Sequence, residues 1–275
     1  MISLEGFIDI HIHTAPDIRE RKLDDLQIAQ LSAKEKMRAI VLKSHITLTA
    51  DRAAIANKVV EGIQIFGSLV LNDHVGGLNP LAVDSAIQLG AKIIWLPTIS
   101  AKNHRRYHHE EGGIAIRTDD RVTMNKLSEI IEIVRDSDVI LGSGHISKQE
   151  ILIVAELSER IGLKKLLITH PEVPWINMSD AEQAEIRAKG AWFERCFAST
   201  LPIGGGVPVT TIVRSIKEIG VDSTIISTDF GAKSIAVSTE GYRQYLIALS
   251  AHGFSELQLR TMGIKNAARW LNLNN

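Results

Sequence analysis

The sequence predicts a closed (β/α)8 barrel of the TIM type, formed as a single domain over residues 1–275. Eight short runs rich in β-branched residues alternate with longer amphipathic stretches, as is typical of parallel strands joined by crossover helices. The length of 275 residues also agrees with eight such units. Residues that suit metal binding end the first, second, fifth, sixth and eighth runs. An open sheet would keep these ends apart, whereas a closed barrel gathers them around one centre.

The predicted elements follow one another along the whole chain. Strands are expected at residues 7–13, 39–45, 64–71, 91–97, 139–145, 166–170, 190–196 and 224–229, and the clearest helices at 81–89, 124–135, 148–161, 180–189 and 209–219. Ser179 and Glu182 have the spacing of a capping box, which predicts that a helix begins after Ser179. Gly90, Gly162 and Gly220 each follow a helical pattern and precede a strand, as glycines that end helices do. The longest irregular stretch, residues 100–123, is predicted to be a loop over the barrel mouth.

Composition excludes several classes of function. Hydrophobic residues make up 45% of the chain and charged residues 23%, and the formal net charge is −1 with scattered basic residues. We therefore expect a small-molecule substrate and neither a nucleic acid nor a membrane as partner. The single cysteine, Cys196, leaves no internal disulfide and fits a reducing compartment. Because no secretory signal is visible and no run approaches the roughly 20 apolar residues of a membrane span, we expect a cytoplasmic protein.

The first predicted strand has two chemically different faces. Side chains alternate along a strand, so the isoleucines share one face while Asp9, His11 and His13 share the other. Two imidazoles placed two residues apart point to one place and present neutral nitrogen ligands to a metal ion. Asp9 would be costly on an inward face without a partner, so we expect it to orient a ligand histidine or a neighbouring backbone group. These residues lie in the run Phe7-Ile8-Asp9-Ile10-His11-Ile12-His13.

Three later strands each end in one polar residue that suits the same chemistry. Apolar runs lead to His145 in the fifth strand, His170 in the sixth and Asp229 in the eighth. In a barrel of this type the carboxyl ends of the strands form the face on which catalytic groups gather. Imidazole and carboxylate are the usual non-sulfur ligands for Zn²⁺, Mn²⁺ and similar ions. The pattern indicates a metal site assembled from several strand ends.

This ordered set resembles the amidohydrolase superfamily of metal-dependent hydrolases. The resemblance covers the whole chain and extends to a terminal stretch similar to the Asn-Pro-Ala-Arg-x-Leu ending of many members, with Ala267 in place of proline. The residues that carry it are Asp9-x-His11-x-His13, His145, His170, Thr228-Asp229-Phe230-Gly231 and Lys265-Asn266-Ala267-Ala268-Arg269-Trp270-Leu271.

The resemblance implies a TIM-type barrel that holds one or two divalent metal ions. Zinc is the expected metal, with manganese, iron or nickel as alternatives. His11 and His13 match the ligand pair of the first strand, and His145 and His170 match the histidines of strands five and six. Asp229 matches the strand-eight aspartate, which in the family binds metal and carries the proton of the metal-bound water. Many such barrels associate, and the sequence leaves a homo-oligomer open.

The chain departs from the family pattern at the position of the bridging ligand. Binuclear members of the superfamily bridge their metals with a carboxylated lysine or a glutamate at the end of strand four, and residues 93–97 here contain neither. Lys43 and His45 lie on one face at the end of strand two. Lys43 is thus a candidate catalytic residue and metal ligand as a carboxylated bridge, or an ammonium that holds an anionic substrate group. A third alternative is a site with one metal ion.

Other histidines at the same end of the barrel are candidates for substrate binding. They are His45, His74 after strand three and His104 in the stretch after strand four. The principal hypothesis is metal-assisted hydrolysis of an amide, a lactone or other ester, or a phosphoester, with Asp229 as proton shuttle. The alternatives are a lyase or isomerase of decarboxylase type on the same barrel, and a metal-binding protein without catalysis.

Overall fold

The computed structural model describes residues 2–273 and confirms the closed barrel. All eight strands are parallel and pair in chain order. The barrel closes between the first strand and the residues after the eighth, where the Asp229 amide donates a 2.9 Å hydrogen bond to the His11 carbonyl. The strands are β1 (Ile8–His13), β2 (Ala39–Lys43), β3 (Gln64–Val70), β4 (Ala91–Trp95), β5 (Ile140–Gly142), β6 (Leu166–Thr169), β7 (Trp192–Cys196) and β8 (Thr224–Ser227).

Helices surround the barrel and agree with the amphipathic patterns. The helices predicted at 148–161 and 209–219 have those bounds, and the capping box at Ser179 and Glu182 is formed. The loop predicted at 100–123 is wrong in part, because a short helix lies within it. The α-helices are α1 (Asp25–Lys34), α2 (Ala50–Ala56), α3 (Pro80–Gln88), α4 (Lys102–Tyr107), α5 (Arg121–Asp136), α6 (Lys148–Ile161), α7 (Asp180–Ala188), α8 (Val209–Ile219), α9 (Ser238–Ala251), α10 (Glu256–Arg260) and α11 (Asn266–Trp270). Within the described residues, no helix has both the length and the apolar character that crossing a membrane requires.

A bulge in β1 overturns the strict alternation expected for this strand. The pairing register with β2 shifts between Asp9 and Ile12. Ile8 and Ile10 pack among the apolar side chains that fill the barrel, whereas Ile12 belongs to the core between the barrel and its helices. One extra residue in a strand reverses the faces of the side chains beyond it. Ile8 and Ile10 therefore fill the lower barrel interior, and beyond the bulge Ile12 points away from it.

Asp9 is consequently separated from the two histidines that follow it. Its Oδ1 accepts hydrogen bonds from the amides of His11 and Thr228 at 3.2 and 3.1 Å, and its Oδ2 accepts one from the Thr228 hydroxyl at 2.5 Å. Burial raises the pKa of Asp9 to about 7, while the bonds from Thr228 oppose the shift. The carboxyl group thus joins β1 to the end of β8, where few ladder hydrogen bonds close the barrel.

The long loop after β1 is braced by one arginine of α2. Arg52 Nε donates to Asp25 Oδ2 at 2.7 Å, and its Nη2 donates to Asp25 Oδ1 at 2.8 Å. The same guanidinium donates to the carbonyl oxygens of Ala15 and Pro16 at 3.0 and 3.1 Å. Bidentate, charge-assisted bonds of this kind fix geometry strongly. The loop is therefore a defined wall at the carboxyl end of the barrel.

Candidate metal centre

A cavity of about 300 Å³ opens at the carboxyl end of the barrel. Its walls come from the residues that follow β1, β2, β4, β5, β6, β7 and β8. The loop after β3 does not contribute a lining residue among the described part of the chain. His13, His45, His145, His170 and Asp229 all line this cavity. The closed barrel thus brings together polar residues that lie far apart in the sequence.

At the floor of the cavity, three side chains converge closely enough to hold one ion. The Oδ1 atom of Asp229 lies 2.9 Å from His11 Nε2 and 3.2 Å from His13 Nε2. One ligand atom from each of the three residues lies within 4.8 Å of the other two. Burial opposes the charge of Asp229, but His11 and His13 hold its pKa well below the usual range. The group combines two imidazoles with one ionised carboxylate.

Sharp backbone turns place two of the predicted ligands. Asp229 has a φ of 56° and His170 a φ of 30°, both in the left-handed region that side chains rarely adopt. The strands end one to three residues before the polar residues that the sequence predicted at their ends. The chain turns inward there instead of continuing the ladder. Strain of this kind clusters at functional sites, where the surrounding structure holds it.

Glu194 orients His11 from below, a role that the sequence analysis did not assign. Its Oε1 lies 2.9 Å from His11 Nδ1 and accepts a 2.6 Å hydrogen bond from the Ser227 hydroxyl. A carboxylate on Nδ1 fixes the ring and directs Nε2 toward the centre. Cys196 Sγ lies 3.8 Å from the same Nδ1, but burial raises the pKa of its thiol far above the usual value. Cys196 is therefore a protonated packing residue.

Burial favours the neutral form of four imidazoles of the cavity, and two of the four have a nitrogen without a partner. Burial lowers the pKa of His13 to about 3 and that of His170 to about 4, and it holds those of His45 and His145 well below the usual value. Within the described residues, Nδ1 of His13 and Nδ1 of His170 are buried without a hydrogen bond. Buried polar atoms ordinarily have partners, and neutral imidazole is the form that binds metal. The donor set fits a divalent ion.

His145 and His170 form the opposite side of the same cavity. Their ring centroids lie 5.0 Å apart, and the His170 ring lies 6.5 Å from that of His11. His104, from α4, reaches the site as expected, since its Nδ1 lies 2.9 Å from Nδ1 of His145. Trp175 packs against His145, with ring centroids 5.6 Å apart. The two histidines face the cavity but lie outside the compact group on β1 and β8.

His45 is held by a polar network from β3 and β4. Its Nδ1 lies 2.9 Å from the Thr98 hydroxyl. Asn72 donates to the His45 carbonyl at 2.9 Å and to the Thr98 hydroxyl at 2.8 Å, and it accepts from the Thr98 amide at 2.8 Å. The buried Asn72 is therefore a positioning residue that the sequence analysis missed. The sequence signal for this role was a single amide residue directly after the apolar run of β3.

The structure does not bring His74 to the site. It is exposed on a short 3-10 turn, Asp73–Val75, and the cavity lining does not include it. Asn72 is the residue after β3 that turns inward, and the chain then bends away from the barrel axis. The expectation that His74 binds substrate is wrong for this reason.

Lys43 lies under the centre and is completely buried. Its Nζ is 2.9 Å from His11 Nε2 and 4.0 Å from the centroid of the Trp95 ring. Burial lowers the pKa of Lys43, although Asp229 and Glu194 oppose the shift. The geometry places the amine beside a nitrogen of the three-residue group.

The buried imidazoles make the metal-free protein sensitive to acid. Unfolded histidines titrate near 6.5, whereas the pKa of His170 is about 4 and that of His13 about 3 in the folded protein. As the pH falls below about 6.5, these histidines take up protons in the unfolded state before they do so in the folded state, so stability is lost between about pH 6.5 and about pH 4. His170 alone contributes roughly 3 kcal/mol to this loss. Asp9 acts in the opposite direction, because burial raises its pKa to about 7 and the folded state keeps its proton.

Thermal unfolding in the presence of a chelator tests this prediction. We expect the Tm to fall on the order of 10 °C between pH 7 and pH 4, because the histidines outnumber the opposing groups. Added divalent metal should raise the Tm at pH 7 and lose this effect at pH 4, since protonated imidazoles do not bind it. A Tm that stays constant over this range would contradict the burial of neutral histidines.

Most of the chain matches one protein family. The model of a family of unknown function, DUF6282, matches residues 6–194. This segment includes the histidines of the site, Lys43 and Glu194, and ends before Asp229. None of the curated proteins compared with this chain matches it.

Solved structures share the fold at low sequence identity. An amidohydrolase from Pseudomonas aeruginosa is 14% identical, with a TM-score of 0.67, over 98% of this chain and 96% of that chain. A lactonase from Listeria monocytogenes is 13% identical, with a TM-score of 0.63, over 99% and 96% of the two chains. An organophosphorus hydrolase from Deinococcus radiodurans is 12% identical, with a TM-score of 0.64, over 98% and 93%. The TIM-type barrel fold that the resemblance implied is thereby confirmed.

Proposed function

The chain belongs to the family of unknown function DUF6282, and we propose that it is a metal-dependent hydrolase of a small molecule. The observation that carries the proposal is the convergence of His11, His13 and Asp229 on one point of the cavity floor. The three side chains come from the first and last strand ends, and unpartnered imidazole nitrogens lie beside them. The fold is shared with a lactonase and an organophosphorus hydrolase, which supports hydrolysis as the reaction class.

Each residue has a defined part in this proposal. His11, His13 and Asp229 would hold a divalent ion, with His145 and His170 as further ligands, and zinc is the metal we propose. The bound ion would supply Lewis-acid activation of water and of the scissile carbonyl or phosphoryl group. Asp229 stays ionised at neutral pH because the histidines beside it lower its pKa. It can therefore take a proton from the attacking water and pass it to the leaving group.

The walls of the cavity would position the substrate. His45 and His104 are neutral and line the cavity above the three ligands. Glu194 and Asn72 would hold His11 and His45 in place, and residues in such supporting positions matter nearly as much as the ligands themselves. The volume of about 300 Å³ suits a small molecule. The bond cleaved is an amide, a lactone or other ester, or a phosphoester.

Metal removal and replacement test the proposal. The purified protein should contain divalent metal by elemental analysis and should hydrolyse a member of a panel of lactones, amides and phosphoesters. Stripping the metal with a chelator should lower this activity at least about 100-fold, and one divalent metal should restore it. Product formed in ¹⁸O water should carry the label, because hydrolysis incorporates solvent oxygen and a lyase reaction does not.

Two matched histidine variants make the test specific. His13→Ala should lose bound metal and activity together, because His13 is one of the three converging ligands. His74→Ala makes the same chemical change at an exposed position outside the cavity, and it should keep both. Full hydrolase activity in the metal-stripped protein would contradict the proposal.

A further inference from the structure

One charged side chain in the cavity has no part in the hydrolytic roles above. Arg21 lines the cavity together with His13 and Asp229, and only 7% of its side chain is exposed. Arginine is rarely buried without partners, because removing its charge from water is costly. A buried guanidinium beside reactive groups therefore requires an explanation of its own.

The partners of Arg21 within the chain satisfy only part of its guanidinium group. Its Nε donates to Asp17 Oδ2 at 2.8 Å. Its Nη2 lies 2.6 Å from the same oxygen but, within the described residues, is buried without a hydrogen bond of acceptable angle. The other oxygen of Asp17 accepts the Arg19 amide at 3.1 Å. A single oxygen, Oδ2 of Asp17, thus faces the Nε and Nη2 edge of the Arg21 guanidinium. The guanidinium has five N–H donors in all.

The backbone fixes Arg21 beside the catalytic centre. Arg21 forms an antiparallel bridge with Ala232, and the Lys22 amide donates to the Gly231 carbonyl at 2.9 Å. These contacts tie the loop after β1 to the loop that carries Asp229. Arg52 braces the same loop from α2. The guanidinium is therefore preorganised, which lowers the entropic cost of binding a ligand.

Neither carboxylate of the cavity lining, Glu110 or Asp229, pairs with Arg21 among the described residues, whose one ion-pair partner there is Asp17. Asp229 is engaged by two imidazoles, and Glu110 at the mouth is exposed. Arg19 also lines the cavity, but its side chain is exposed, so solvent screens its charge. A ligand that carries negative charge would match this distribution.

We propose that Arg21 binds an oxyanion group of the substrate, a carboxylate or a phosphate, while the scissile bond lies at His13 and Asp229. A planar guanidinium pairs with either group through parallel N–H···O bonds. This inference rests on the proposed hydrolase function and narrows it to small anionic substrates. The sequence analysis gave Lys43 as one candidate for the cation that holds an anionic substrate group, and this inference gives that role to Arg21.

Direct binding to the full-length protein tests the inference without any need for turnover. The probes are succinate, inorganic phosphate and neutral succinamide, titrated by calorimetry into metal-stripped and metal-loaded protein. We expect succinate or phosphate to bind the wild-type protein in both states, and the tighter of the two identifies the class of oxyanion. Arg21→Met should weaken that binding about 10- to 100-fold, in line with the loss of charge-assisted bonds.

Matched variants separate the guanidinium from general charge and from folding. Arg19→Met removes an exposed cation of the same cavity and should change affinity less than about threefold, since exposed charges are screened. Because Arg21→Met leaves Asp17 buried without its partner, the double variant Arg21→Met with Asp17→Asn removes both charges. It should show the same loss of binding with an unfolding temperature close to that of the wild type.

Three results would overturn the inference. They are unchanged oxyanion affinity in both Arg21 variants, succinamide binding as tightly as succinate, and no binding of either anion to the wild-type protein at millimolar concentration. Oxyanion binding that depends on Arg21 in a protein that hydrolyses nothing would support the anion site and contradict the hydrolase proposal. Failure of the anion-site inference is therefore distinguishable from failure of the hydrolase proposal.

Discussion

Replacing Asp229 with asparagine should lower kcat/KM for hydrolysis by about 1000-fold, the largest effect we expect from any single substitution. The amide has nearly the shape of the carboxylate, so the fold should be preserved. It carries no charge and cannot accept a proton from water. It also weakens the three-residue group formed with His11 and His13. We expect bound metal, measured by elemental analysis, to fall together with the rate.

A matched change elsewhere shows whether the effect belongs to the site. Asp73→Asn removes a carboxylate that pairs with Arg105 at the surface, where the Asp73 side chain is half exposed. Surface pairs contribute little, so rate and metal content should stay close to wild type. An Asp229→Asn enzyme that retained a tenth or more of its activity would contradict the assignment of Asp229 as the proton shuttle.

Lys43→Met should have the second-largest effect, a loss of roughly 100-fold in activity. Lys43 Nζ lies 2.9 Å from His11 Nε2, the nitrogen that also contacts Asp229. Within the described residues this nitrogen is its one hydrogen-bond partner, and an ammonium has three N–H donors to satisfy. Burial lowers the pKa of Lys43, which favours the neutral amine that carboxylation requires. The replacement should not unfold the protein, because methionine is apolar, similar in length and able to keep the packing against Trp95.

Metal counting and chemical rescue decide between the two roles of Lys43. If it is a carboxylated bridge, the wild-type protein holds two ions per chain, Lys43→Met holds one, and short carboxylic acids restore activity to Lys43→Ala. Lys92→Met, a lysine of β4 outside the cavity lining, should leave both metal content and rate unchanged. Rescue by a short alkylamine instead of an acid would show that the ammonium form acts.

The strand pattern and the ligand types could be predicted from sequence because they depend on local periodicity. Apolar runs ending in His145, His170 and Asp229 indicated which side chains meet, and the closed barrel brings them to one cavity. Which side chains of β1 share a face could not be predicted in the same way. Alternation placed Asp9 with His11, but the bulge in β1 separates them. A bulge depends on pairing with the neighbouring strand, which no local pattern records.

Residues that act through others were the hardest to find from sequence. The role of Glu194 becomes visible only when the closed barrel brings its side chain from β7 to His11 of β1, and its sequence signal was an acid within a buried strand. Arg21 and Asn72 sit after strands, where loop geometry and not periodicity decides direction. The same limit explains His74, which follows β3 at a plausible position but turns to solvent. Histidines in loops follow no regular spacing, so the sequence does not show whether their side chains point into the cavity or toward solvent.

Asp9 joins β1 to the residues that follow β8. Its carboxyl group accepts two hydrogen bonds from Thr228, which a chain cut before residue 224 would lack. Such a chain already carries His11 and His13 but lacks Asp229. One of the contacts that close the barrel and the third residue of the proposed ligand set therefore depend on the same two residues, Thr228 and Asp229. We expect a chain cut before them to lose both.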